Sequence, residues 1–285
     1  MAKSDQTPFK WRLSRRILSI VVSRASRRVL VNRTLIDTEG RHLRWLAPEV
    51  KRFVTALDAD AEELRPGAAL ETLPSFGNRL MVELAICTAA ADRVLRGFGI
   101  TPDCTRQVVA DLGWDVYRRM LSLSSLPVRL ITRDPGRRLR WTVRMLLRFP
   151  FNAPGAPGYA VEYRADGEDY LTHFTHCPPQ SYLRRLSEET KDPHALEAFR
   201  ASWCLYDWPG ADIIAGDGRR GHYRRRQTLS HGDPVCDMCW IARATRERGA
   251  RIRSLRTPAS DDPALQPPHR ERPGCRPDSA PPADP

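Results

Sequence analysis

Apolar residues recur at helical intervals through the first part of the chain. After Pro48, Val50, Phe53, Val54 and Leu57 lie three and four apart until Pro66-Gly67 interrupts, which predicts a helix over 48–64. Leu80, Leu84, Cys87, Ala91, Val94 and Leu95 keep the same period, with Gly97 and Gly99 as stops, and predict a helix over 76–98. Thr101-Pro102-Asp103 opens another that carries Val108, Val109, Leu112, Val116, Tyr117 and Met120. Residues 1–45 are basic and weakly patterned, and read as one or two helices ending near Glu39-Gly40.

Beyond residue 125 the period changes. The stretch 139–149 fits strand or helix equally well. Residues 159–163 and 170–175 alternate like strands around an Ala165-Asp166-Gly167-Glu168 turn, a predicted hairpin. A short helix is expected over 181–188. Asp192-Pro193 opens another, which holds Leu196, Phe199, Trp203, Cys204 and Tyr206 and is closed by Trp208-Pro209-Gly210. Residues 222–240 read as strand, tight His231-Gly232-Asp233-Pro234 turn and strand. This order implies an α+β protein: an N-terminal helical layer followed by an antiparallel sheet with helices packed on one face. The division is a basic segment at 1–45, a helical region at 46–125, an α+β region at 126–245 and a tail at 246–285. The tail, rich in Pro, Arg, Asp and Ser, has too little apolar surface to offset its ordering entropy and is expected to be disordered.

The net charge of +12 raises nucleic acid or an anionic surface as partner. Only Lys3, Lys10, Lys51 and Lys191 are lysines, and the arginines are spread along the whole chain, as a GC-rich genome also produces. No zinc-finger, homeodomain or RNA-binding aromatic motif accompanies them, so no specific nucleic-acid partner is expected. Ile17-Leu18-Ser19-Ile20-Val21-Val22 lies between arginines and is too short to span a bilayer; it reads as part of a basic surface helix, with a transient membrane or anionic-partner contact as the alternative. Seven cysteines, unevenly spaced and without a secretory signal, favour reduced thiols and a cytoplasmic location.

Three thiols stand in distinctive contexts: Cys177 in His176-Cys177-Pro178-Pro179, Cys204 in Trp203-Cys204-Leu205-Tyr206-Asp207, and Cys236 in Thr228-Leu229-Ser230-His231-Gly232-Asp233-Pro234-Val235-Cys236-Asp237. These segments resemble the L-2-amino-thiazoline-4-carboxylic acid hydrolase family, in which a Cys-Pro, a Cys-x-x-Asp and a Thr-Leu-x-x-Gly-Asp-x-x-Cys-Asp segment follow one another at similar intervals. The resemblance covers about residues 76–240 and departs at Met238-Cys239-Trp240, where family members carry an aromatic-arginine continuation. It implies a hydrolase that opens a cyclic amidine, at a non-peptide carbon-nitrogen bond, to an N-carbamoyl amino acid.

Such chemistry needs a nucleophile, a proton carrier and a group to hold the substrate carboxylate. Cys177, Cys204 and Cys236 are the candidate nucleophiles, and which of them attacks is open. Asp207 and Asp237 are the candidate catalytic carboxylates, Asp207 to orient a proton carrier or a water beside the thiol, Asp237 as a base, a ligand for a substrate amino group or a partner for an arginine. His173, Arg226 and Thr228 are the candidate substrate contacts. On a helix Cys204 and Asp207 would share a face; on an unbroken strand His173 and Cys177 would point to one side and His176 to the other. Cys87 and Cys104 read as packed core thiols, and the Gly and Asp of the His-Gly-Asp-Pro turn as turn chemistry. No cofactor is expected. Zinc is the competing use of the thiols, although Cys236 and Cys239 would face opposite sides of a strand. A fainter likeness to 4-vinyl-reductase-type domains implies the other alternative, a non-catalytic small-molecule- or zinc-binding module.

Overall fold

A computed structural model of the chain describes residues 9–31, 33–152 and 154–243. The expected tail at 246–285, with Cys275, lies outside the described residues.

The basic N-terminal segment forms one helix, α1 (Phe9–Leu30), and then a hairpin of β1 (Thr34–Ile36) and β2 (His42–Arg44). Of the one or two helices expected, one forms, and Glu39-Gly40 makes the turn of a hairpin. Gly40 has φ +77°, and the Asp37 carboxylate accepts the N–H groups of Glu39 and Arg41 at 3.0 and 2.8 Å.

Helices α2 (Ala47–Leu64) and α3 (Phe76–Gly97) follow the apolar period. Val50, Phe53, Leu57 and Ala61 are buried along α2, and Ser75 caps α3 by accepting the Asn78 N–H at 3.1 Å. Helix α4 (Pro102–Ile131), with Pro in its first turn, runs unbroken through residue 125. The ambiguous stretch at 139–149 belongs to a helix, α5 (Pro135–Arg148). Asp134 caps it through the Arg137 N–H at 2.6 Å, and Leu139, Thr142 and Val143 form its buried side.

Strands β3 (Ala160–Asp166) and β4 (Asp169–His176) form the expected hairpin. Helix α6 (Pro178–Thr190) comes next, then α7 (His194–Arg200), which ends before Trp203. The chain makes a single tight turn at Trp203–Leu205 and enters α8 (Asp207–Ala215). Trp208-Pro209-Gly210 therefore begins a helix where it was expected to close one; Pro209 sits in the first turn, where its missing N–H has no intrahelical partner to lose.

Strand β5 is only Tyr223–Arg224, and β6 (Cys236–Trp240) completes an antiparallel sheet of order β3-β4-β6-β5. In its register Phe174 lies opposite Cys236, Thr172 opposite Met238 and Tyr170 opposite Trp240. These six face the helices. Their neighbours His173, Asp237 and Cys239 lie on the other face, as the period-2 pleat requires. Helices α5 and α8 pack on the sheet, and α3 packs against α6 and α7, so the N-terminal helices and the thiol-bearing region share a core. Among the described residues no helix is long and apolar enough to cross a membrane.

Candidate functional site

The inward face of the sheet, the inner side of α5, the start of α6 and the segments 203–207 and 225–230 enclose a cavity of about 110 Å³. Cys177, Cys204, Cys236, Asp207, Thr228 and Arg225 all line it; most of the remaining wall is apolar, including Val143, Leu146 and Leu147 of α5 and Phe174, Met238 and Trp240 of the sheet. Three thiols up to 59 residues apart in sequence, from Cys177 to Cys236, thus meet at one space.

The segment 224–237 braces itself around Cys236. The Cys236 Sγ accepts the Leu229 N–H at 3.2 Å and lies 3.4 Å from the Thr228 hydroxyl. Asp233 returns to accept the Thr228 N–H at 2.8 Å, across a turn in which Gly232 takes φ +98°. Both residues therefore hold Thr228 and Leu229 in place for the sulfur, beyond making a turn. Ser230 Oγ lies 3.5 Å from Thr228 Oγ1 and accepts from Cys204 Sγ at 3.3 Å, which links two of the thiols through hydroxyls.

Cys177 stands at the N-cap position of α6. Desolvation pushes its thiol well up, with the neighbouring thiols and Asp207 adding to the rise against the Gln180 N–H. Cys204 lies in the tight turn at Trp203–Leu205 and Asp207 in the first turn of α8, so they reach the cavity from two short elements and not from one helix face. Desolvation raises the Cys204 thiol to about 11 against the pull of Arg225 and Ser230. The same cause raises the Asp207 carboxyl, opposed by Arg225 and by the Tyr117 and Tyr223 hydroxyls, which donate to it at 3.2 and 3.4 Å.

Arg225, not Arg226, is the cation of the site. Its side chain is 3% exposed, with Nη1 4.0 Å from Asp207 Oδ2, Nη2 donating to the Cys204 carbonyl, and the guanidinium 4.8 Å from the centre of the Trp208 ring. Its Nε is buried without a hydrogen-bond partner. Arg226 is exposed on the opposite side of the chain. The signal that separates them is parity: Tyr223 is the inward aromatic of β5, and Arg225 shares its side.

Asp237 and His173, expected at the site, also lie away from the cavity. Asp237 does not reach the cavity; on the outer face of β6 its carboxylate accepts the N–H groups of Arg226 and Gln227 at 2.8 and 2.6 Å. This bond is also why β5 stops at Arg224, since two N–H groups that would extend the ladder go to a side chain. His173 lies opposite Asp237 on that outer face. The strand ends at His176, so the chain turn at Cys177 carries the thiol inward and away from His173. His176 is held by Gly158 O at 2.6 Å and Ser181 Oγ at 3.2 Å, and no histidine lines the cavity among the described residues.

The other cysteines sit elsewhere. Cys87 packs in the core of α3 as expected, its thiol raised to about 12 by desolvation and by Glu83. Cys104, expected as a packed core thiol, is buried but disulfide-bonded, with Sγ 3.4 Å from the Ile36 N–H. Cys239 lies across the sheet from Cys236. Among the described residues no group of three or more His, Cys, Asp or Glu side chains is arranged to hold a metal ion.

No family model, curated protein or solved structure matches the chain.

Proposed function

We propose that the protein is a thiol-dependent hydrolase of a carboxylated cyclic amidine, of the kind acted on by the L-2-amino-thiazoline-4-carboxylic acid hydrolases. One observation carries the reading: three thiols, a raised carboxyl and a buried arginine with an unfilled donor line a single cavity. A buried guanidinium with a spare N–H suits a substrate carboxylate. The carbon and sulfur edges of a thiazoline ring suit the apolar walls.

Cys236 is the attacking sulfur in this reading, because the Leu229 N–H donates to it and the Thr228 hydroxyl lies 3.4 Å away, which together fix the sulfur at the cavity wall. Its sulfur bonds to the amidine carbon while the thiol proton passes to the ring nitrogen. The ring carbon–sulfur bond then opens, in place of the carbon–nitrogen bond that the family resemblance implies, leaving an isothiouronium on Cys236 and the substrate sulfur as a thiolate. Water adds to that carbon, Cys236 departs as the thiol, and the product is the N-carbamoyl amino acid. Asp207, as the carboxylate, takes one proton from the attacking water and passes it to the departing Cys236 sulfur, and the water's second proton goes to the freed substrate thiolate.

The test is iodoacetamide labelling read by peptide mass mapping, together with turnover of 2-amino-thiazoline-4-carboxylate. Protection of Cys236 by the substrate and formation of N-carbamoylcysteine are expected. Unprotected thiols and no product would overturn the reading.

A further inference from the structure

We propose that the helical hairpin of α4 and α5 is a docking surface for an anionic lipid membrane. This inference stands apart from the hydrolase reading. From Leu121 to Phe149 the chain carries seven arginines and one carboxylate, Asp134, which is occupied in capping α5. On the same hairpin seven large apolar side chains face solvent: Leu123, Leu126, Leu130, Ile131, Trp141, Met145 and Phe149, with Leu123, Leu130 and Ile131 each more than 70% exposed. Single exposed apolar residues need no explanation, but a series along two consecutive helices does.

The surface continues onto α1. Trp11 meets Phe76 edge-on at 5.7 Å and Phe76 stacks on Phe149 at 6.3 Å, joining the start of α1 to the end of α5. Helix α1 has seven basic residues, no acidic one, and exposed Phe9, Leu13, Ile17 and Ile20. At the hairpin tip a cleft is lined by Arg133, Arg137, Arg140, Arg219 and Arg243 among three carboxylates, and the Nε of Arg140 is buried there without a partner.

Charge selects the occupant. A second copy pairing through this face would meet the same arginines, and Asp134, Glu168 and Asp217 there are already engaged by the Arg137 N–H, Arg243 and His222, so self-association through it is repelled. An anionic bilayer satisfies both halves of the pattern: aliphatic and aromatic chains enter the acyl boundary while arginines reach the headgroups. The opposite side of α5, with Val143, Leu146 and Leu147, walls the thiol cavity, so docking sets that wall beside the lipid.

The experiment is co-sedimentation of the full-length protein with vesicles of phosphatidylcholine alone, or of equal parts phosphatidylcholine and phosphatidylglycerol, over a salt series. Binding to the anionic vesicles that weakens with salt is expected. Arg137→Gln and Arg148→Gln should each weaken it about fivefold. Leu130→Ser with Ile131→Ser should weaken it about tenfold or more, with circular dichroism unchanged. No binding at low salt, or binding that ignores all these variants, overturns the proposal. So does a dimer in light scattering that Leu130→Ser with Ile131→Ser dissolves without vesicle binding, which would give the face to a second copy. Equal affinity for polyglutamate, indifferent to the apolar variants, would give it to an acidic protein.

Discussion

The backbone N–H of Leu229 donates to the Sγ of Cys236 at 3.2 Å, and the Thr228 hydroxyl lies 3.4 Å from the same sulfur. A segment that reads as a motif is thus a holder for one thiol. Cys236→Ser is expected to lower turnover of the cyclic amidine by about a thousandfold or more. Thr228→Val, which removes the hydroxyl and keeps the shape, should cost about tenfold in kcat. Steady-state kinetics on both variants check the assignment, and equal, small effects would count against Cys236.

Arg225 has the opposite signature. Replacement by Met keeps much of the stem but leaves Asp207 without its cation, and should destabilise the fold by about 3 kcal/mol, the low end for one-sided removal of a buried charge pair. The same variant should raise KM for a carboxylated substrate on the order of a hundredfold. Arg226→Met, on the exposed side, should change neither. Urea unfolding and KM measured on the pair separate the two arginines.

Asp207 gives a pH dependence with a definite sign. Its folded carboxyl is raised above the ordinary value of 3.8, with desolvation the largest cause. The folded state therefore favours the protonated form. The stability it contributes is full below 3.8 and is lost as pH rises through the raised folded value. Asp207→Asn, which does not titrate, should gain on the wild type as pH rises from about 4 toward neutrality. Denaturant midpoints of both proteins across that window provide the check, and parallel curves would refute it.

Gly77 is a packing prediction. A Cβ built there meets the Pro150 carbonyl oxygen at 2.4 Å and the Pro150 Cα at 2.7 Å, both backbone atoms with little room to move. The adjacent Asn78 side chain donates to Pro150 O and Asn152 O at 3.2 Å each, so this contact holds the exit of α5 against α3. Gly77→Ala should cost about 1–3 kcal/mol by overpacking. Calorimetry tests the loss. Gly67→Ala, which meets nothing within 4 Å, is the control.

Much of the architecture was legible in local pattern. The periods of α2, α3 and α4, the β3–β4 hairpin and the order of helices and strands follow from apolar spacing, Pro and Gly punctuation and caps, which act over a few residues. The thiols were also legible as a group: Cys177, Cys204 and Cys236, with Asp207 and Thr228, do line one cavity. Elements whose ends depend on distant partners were not. The stretch at 139–149 is helical because its apolar side covers the sheet, and β5 stops early because Asp237, beyond the loop, takes its N–H groups.

What the sequence by itself determined is the set of elements and the residue types available for chemistry, since periodicity and turn stereochemistry are local properties. Which side chains face the cavity was decided only by tertiary structure. Arg225 rather than Arg226 enters it, and Cys177 rather than His173. In each case a strand end or a chain turn, set by packing against α6 and α8, changes the direction of the next side chain, and a single residue of register exchanges the buried face for the exposed one.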